Sequence, residues 1–128
     1  MADWNWIGSV VALIVHEEQL RDHGGPQGVR DVTLLESALA KPQNLASYGD
    51  PDAAALAASY AFGIARNHPF VDGNKRISAV ISETFLNMNG YTLTASDPEL
   101  AVAIESLAAG ELSEVELASW FREHLAKD

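Results

Sequence analysis

Apolar residues recur along this chain at three- and four-residue intervals from Val10 to Leu125, and no run of four or more residues alternates convincingly between apolar and polar. That spacing lines one face of a helix and conflicts with a half-buried strand. An all-α fold is the expectation. With 128 residues, 48% of them apolar, the chain can bury one core and is too short for two ordinary domains, so residues 1–128 are read as a single domain.

Val10, Val11, Leu13, Ile14 and Leu20 make a stripe on a first helix over roughly residues 6–22, closed by Gly24-Gly25-Pro26. Thr33 with Glu36 fits a capping box opening a second helix, which is expected to end near Lys41 because Pro42 follows. Residues 42–49 then read as a linker. Asp50-Pro51 supplies the cap and first-turn proline of a third helix, whose Ala54, Ala57, Ala58, Ala61 and Ala65 form a flat face suited to close packing at the centre. A fourth helix follows His68-Pro69, carries Ile77, Val80, Ile81, Phe85 and Met88 at core spacing, and stops at Asn89-Gly90. Asp97-Pro98-Glu99 opens a fifth, and Ser113 with Glu116 caps a sixth that buries Leu117, Trp120, Phe121 and Leu125.

Eight Lys and Arg against eighteen Asp and Glu give a net charge of −10, so the average surface repels nucleic-acid backbones and anionic lipid heads. The absence of cysteine removes disulfide scaffolds, thiolate nucleophiles and Cys-based zinc sites together. The start, MADWNWIGSV, has an acid and no base ahead of its apolar run, and Val10 to Val15 is far too short to cross a membrane. A cytoplasmic protein without direct nucleic-acid or membrane partners is the expectation. His16-Glu17-Glu18-Gln19-Leu20 begins like a helical zinc motif but ends in leucine where a second histidine would stand. His16 and His23 are read as polar-face or turn residues, His124 as a helix C-terminal base, and Trp4, Trp6 and Trp120 as core or core-edge aromatics. The six acids of residues 97–116 read as a solvated face.

One stretch departs from the acidic background. Arg66, Lys75 and Arg76 fall within eleven residues beside a single acid, Asp72, around the sequence HPFVDGNKR at 68–76. Gly73 permits a positive-φ turn, so the amides of Gly73, Asn74 and Lys75 can converge at a helix start, where anions bind well. Lys75 and Arg76 put full positive charge where a helix dipole favours acids, and an anion is expected to offset them. Asp72 is a hard oxygen ligand beside that cradle, and magnesium is commonly held by one or two carboxylates together with substrate phosphates. His68 is the one side chain in the stretch able to act as a general base near neutral pH, with Phe70 as a buried peg for the loop. Singly, each of these residues has an ordinary structural explanation, but gathered in one loop they indicate a site.

The stretch also resembles the signature of the Fic/Doc family, which typically reads HPFxxGNGRxxR, and more closely its Doc branch, the toxins of death-on-curing toxin–antitoxin pairs. Lys75 stands at the position of the second glycine and Ala79 at that of the second arginine, and the Doc branch shares the basic replacement. HGGPQGVRD (23–31), LLESALAKPQN (34–44), AFGIARNHPF (61–70) and FLNMNGY (85–91) also look like the family's segments, so the likeness covers most of the chain.

The resemblance implies an all-α fold and phosphotransfer from a nucleotide, ATP with Mg2+, to a protein hydroxyl. By motif position His68 matches the base that takes the hydroxyl proton, Asp72 the magnesium ligand and Phe70 the loop anchor. Asn74, Lys75 and Arg76 match the groups around the phosphates, with Arg66 assisting. A lysine at 75 fills the space that glycine leaves for AMP transfer, which ranks a kinase above an AMP transferase; a non-catalytic helical binding module is the third alternative. The implied partners are elongation factor Tu, modified on a threonine so that translation stops, and an antitoxin. The chain lacks the family's inhibitory pattern [S/T]xxxE[G/N], consistent with inhibition by a separate antitoxin protein. Residues 42–50, with Gln43 and Tyr48, lie where family members place a substrate-aligning flap, and are read as a plain surface loop.

Overall fold

The computed structural model of the chain describes residues 3–26 and 28–128. Among the described residues there are six helices: α1 Ser9–His23, α2 Val32–Tyr48, α3 Ala53–Asn67, α4 Asn74–Met88, α5 Asp97–Ala108 and α6 Glu114–Glu123. Strands β1 Tyr91–Leu93 and β2 Leu125–Lys127 pair antiparallel, with Tyr91 opposite Lys127 and Leu93 opposite Leu125. The fold is all-α, as the periodicity predicts. Three-residue strands are too short to show an alternation, which is why they escaped the sequence. Leu125, expected on the sixth helix, lies on β2 because His124 already caps α6.

Helix α3 sits at the centre and packs against α2, α4, α5 and α6. Its alanines, Leu56, Tyr60 and Ile64 are buried nearly all round, which a helix achieves only when its side chains are small enough for neighbours to approach on every side. The closest approach is at Gly63, where a Cβ would stand 3.1 Å from the Cα and Cβ of Ala38 on α2. Asp52 caps α3 by accepting from the Ala55 N–H at 2.9 Å, and Arg122 of α6 donates to both carboxylate oxygens of Asp52 at 2.6 and 3.0 Å. This pair holds the Asp52 carboxyl below its ordinary pKa. The cap is therefore two residues beyond the Asp50-Pro51 expected from sequence.

Two other boundaries depart from expectation. α2 runs through Pro42 to Tyr48, so the expected linker is helical. A proline inside a helix forfeits only its own N–H bond, here the one to Ala38, and the burial of Leu35, Ala38, Leu39 and Pro42 along the same face keeps the helix continuous. Its N-cap is Asp31, which accepts from the Leu34 N–H at 3.0 Å, in place of the Thr33–Glu36 box. α1 begins at Ser9 and buries Ala12, Val15 and His16, leaving Val10, Leu13 and Ile14 exposed. Of the predicted stripe, Val11 and Leu20 are half-buried, Val11 against the core. Ahead of α1, Trp4 and Trp6 rest on Phe85 and the Ile7 N–H donates to the Tyr60 hydroxyl at 2.9 Å.

The capping boxes of α5 (Ser96 with Glu99) and α6 (Ser113 with Glu116) are complete, each side chain answering the other's backbone. Gly63→Ala is expected to cost about 1–3 kcal/mol, because the added methyl presses on helix backbone that cannot move aside. A urea unfolding midpoint lower than wild type checks this, and an unchanged midpoint would show that the α2–α3 contact is slack.

Candidate active site

The stretch 68–76 connects the buried helix α3 to α4. His68 ends α3 in the left-handed conformation, φ 50 and ψ 56, and is the one non-glycine residue with positive φ among the described residues. Histidine is among the side chains that visit this conformation, which here closes the helix with the His68 N–H on the Ile64 carbonyl. Arg30 holds the turn from outside, its Nε donating to the His68 carbonyl at 2.7 Å and its Nη2 to the Asn67 carbonyl at 2.8 Å. The N–H groups of Arg30 and Asp31 both donate to the Pro69 carbonyl, and the Val71 N–H donates to the Gly28 carbonyl. The loop is thus strapped to residues 28–31, with the His68 side chain left exposed.

Phe70 is fully buried and Asn74 nearly so. The Asn74 carboxamide closes a small ring: its Oδ1 accepts from the Phe70 N–H at 3.0 Å and its Nδ2 donates to the Phe70 carbonyl at 2.9 Å. Between them Gly73 takes a left-handed conformation, φ 78, and caps α4 without a side chain. The space where its Cβ would stand is open out to 4 Å. The first amides of α4 lack intrahelical acceptors and adjoin that open space, the arrangement in which helix starts hold anions.

A cleft of about 730 Å3 opens beside the loop and is lined by His68 and Asp72 to Arg76, by Ala79, Val80 and Glu83 of α4, and by Asp97, Leu100, Ile104 and Glu105 of α5, with Gln19 and His23 of α1 at its edge. Lys75 reaches Glu105 at 2.7 Å, an exposed pair of small energetic worth that leaves the ammonium free to exchange partners. Burial pushes the Glu83 carboxyl above its ordinary pKa, and the charge of Asp97 adds to the rise. The cleft thus carries bases and helix amides by the loop, where Glu105 pairs with Lys75, and further carboxylates, Glu83 and Asp97, on α4 and α5.

His68, Asp72, Gly73, Lys75 and Arg76 come together on this cleft. Two residues expected there do different work. Arg66 does not line the cleft; its guanidinium lies 5.5 Å from the centre of the Phe62 ring on the preceding turn of α3 and flanks Gly110. Asn74 lines the cleft, but its side chain is committed to Phe70, so only its main chain is left to meet an anion. The positive focus expected from Arg66, Lys75 and Arg76 is correspondingly smaller.

Sequence reasoning missed three contributors. Arg30 gave no signal of its own, since only the folded loop shows whose carbonyls it meets. Gly25, φ 115, approaches the Asp72 carboxylate so closely that a Cβ would stand 2.7 Å from Oδ2. His16, expected on a polar face, is buried and stacks on the Phe70 ring with centroids 4.2 Å apart. Burial lowers the His16 pKa against the opposing pull of the Asp72 main chain, the Asp72 carboxylate and Glu17.

Residues 6–86 match the Fic/DOC family. The chain belongs to that family. The match runs from the segment ahead of α1 through most of α4, and so includes the whole strapped loop and its Arg30 support. Over 74 residues the chain is 43% identical to Toxin Doc of Mycolicibacterium smegmatis (strain ATCC 700084 / mc(2)155), an alignment covering 56% of this chain and 57% of the relative. The chain thus spans little more than half the length of the curated relative it matches. α5 and α6 lie outside the family match, so the Asp97 and Glu105 wall of the cleft is supplied by a part of this chain that the family match does not cover. No helix among the described residues is long and apolar enough to cross a membrane.

Asn74→Ala strands the Phe70 N–H and carbonyl in a buried setting and is expected to cost about 2–4 kcal/mol. Thermal unfolding should show the loss, and loop amides 70–73 should exchange faster than those of α3.

Proposed function

We propose that this chain is a toxin of a toxin–antitoxin pair that transfers a phosphoryl group from Mg-ATP to a Thr or Ser hydroxyl of a translation factor, elongation factor Tu being the target expected from the Doc resemblance. The observation that carries the reading is the display of His68 and Asp72 on one strapped loop that leads into an open helix start, lining a cleft large enough for a nucleotide. The donor set fits the groups. Open space at Gly73 lets an anion approach the first amides of α4, and the exposed Asp72 carboxylate suits a hard cation that takes its remaining ligands from phosphates and water. Among the described residues no three acids or histidines gather to hold a metal alone, consistent with a cation shared between Asp72 and phosphate.

When bound, ATP supplies the phosphoryl group and magnesium neutralises its charge. The chain's own residues supply orientation and proton transfer. His68, exposed at the loop's start with its backbone held by Arg30, accepts the proton of the target hydroxyl as its oxygen bonds to the γ-phosphorus, while the bond from that phosphorus to the bridging oxygen breaks and ADP leaves with the electron pair. Asp72 holds the cation, its carboxylate set against Gly25. The amides at the start of α4, with Arg76 and Lys75, take up phosphate charge, Lys75 releasing Glu105 to do so.

Lys75 also supports kinase over AMP transfer. Its side chain spans from α4 to α5 at the position where the wider family has glycine, narrowing the room in which phosphates could lie for attack at the α-position. The antitoxin is expected to be a separate protein that covers this cleft.

Incubation with Mg-ATP and elongation factor Tu, followed by intact-mass analysis, should show a gain of one phosphate; a gain of one AMP would assign the other transfer. His68→Ala is expected to lower transfer by about a hundredfold or more while leaving the fold intact. Growth arrest by the His68→Ala chain equal to that by wild type would leave a non-catalytic binding module as the reading.

A further inference from the structure

Beyond the loop the cleft continues between α4 and α5, past every residue assigned to phosphate or metal. Its two walls are matched in length. On α4 the lining runs from Lys75 to Glu83, eight positions and about 12 Å of helix; on α5 it runs from Glu105 back to Asp97, again eight positions and about 12 Å. Lys75 meets Glu105 at 2.7 Å, which sets one end of the walls side by side. Glu83 and Asp97, the first residue of α5, line the other end. Between the ends every lining side chain is hydrocarbon: Ala79 and Val80 from α4, and Leu100, Ala101 and Ile104 from α5. Leu100 and Ile104 are buried at the base of this slot, and Ala79 and Val80 are half-buried beside it.

A slot built in this order selects its occupant. The hydrocarbon middle offers no partner to the N–H and C=O groups of a peptide laid along it, and suits the faces of a flat ring. The far end offers acceptors, because a carboxylate has no proton to give. None of the three ion pairs among the described residues includes Glu83 or Asp97, so both keep acceptor capacity for a ligand. We propose that the slot takes the nucleobase of the phosphoryl donor, and that Glu83 and Asp97 are specificity-determining residues that accept from the exocyclic amino group of adenine. With its phosphates on the α4 amides, Lys75 and Arg76, a nucleotide laid along α4 passes its base between the hydrocarbon side chains and brings its amino edge to the carboxylates. That amino group carries two N–H donors, enough for one to each. The assignment rests on the phosphotransfer reading, since the phosphates fix which end of the slot the base occupies.

Calorimetry of the full chain with magnesium compares ATP with purine riboside triphosphate, which is ATP without its amino group. Wild type is expected to bind ATP about tenfold more tightly, the worth of a hydrogen bond to a charged acceptor. In the double variant Glu83→Ala/Asp97→Ala the preference should disappear while the analogue binds as well as it does to wild type. Residues that only supported the fold would weaken both ligands alike. Equal binding of the two nucleotides by wild type, or a double variant that keeps the preference, overturns the proposal and leaves phosphotransfer standing. A wild type that binds neither nucleotide overturns the phosphotransfer reading and the base assignment with it. Should the double variant not fold, Glu83→Gln and Asp97→Asn each keep the side-chain shape and remove one charge, and a preference undiminished in both overturns the proposal equally.

Discussion

Helix α3 is enclosed by α2, α4, α5 and α6, and eleven of its fifteen residues are buried. A helix so enclosed offers little lateral surface, and at its C-terminal end, from Arg66 onward, the chain comes out to solvent. The chain leaves α3 at His68 in a left-handed turn, drops Phe70 back into the core and restarts as α4 at Gly73. Burial on both sides of the turn gives a short exposed loop the rigidity of the interior. Functional groups on loops are useful when a rigid scaffold holds them, and here the scaffold is the core itself.

The loop is held by polar groups that are each nearly fully used. Arg30 spends its guanidinium on two carbonyls, Asn74 spends its carboxamide on one residue's N–H and carbonyl, and Pro69 accepts two N–H groups. Those commitments free the side chains of His68 and Asp72 from any structural duty of their own. Lys75 and Arg76 concentrate positive charge at the loop end of a cleft that Glu83, Asp97 and Glu105 otherwise make acidic, with Glu105 reaching back to pair with Lys75. An anion is therefore drawn to the helix amides and those two bases, not to the cleft as a whole.

Much of the helical plan was legible in the residues. The alanine face of α3 marked it as central, Asn89-Gly90 marked the end of α4, and the serine–glutamate pair Ser113 and Glu116 marked the start of α6. The failures have separate causes. Pro42 reads as a stop because local backbone preference disfavours helix before a proline, yet the burial of four residues on one face of α2 outweighs the lost hydrogen bond and the crowding of the Ala38 carbonyl by the ring. Val10, Leu13 and Ile14 read as core because they are large and apolar, whereas the face of α1 that is buried is that of Ala12, Val15 and His16, a choice of rotation made by its neighbours in the fold. Proximity in sequence groups Arg66 with Lys75 and Arg76, but Arg66, the penultimate residue of α3, turns toward Phe62 and Gly110.

Composition and spacing by themselves determined that the chain is all-α, that its one concentration of site chemistry is HPFVDGNKR, and that this segment joins two helices. Those conclusions depend on neighbours a few residues apart, whose preferences survive in any context. Which residues support the segment was decided only by tertiary structure. Arg30, Gly25 and His16 lie between 38 and 54 residues ahead of the groups they meet, His68, Asp72 and Phe70, and nothing local to them announces the pairing. Their roles come into being when packing around α3 brings α1 and the segment before α2 under the loop, because a partner at that separation is selected by the shape of the core and not by the chain beside it.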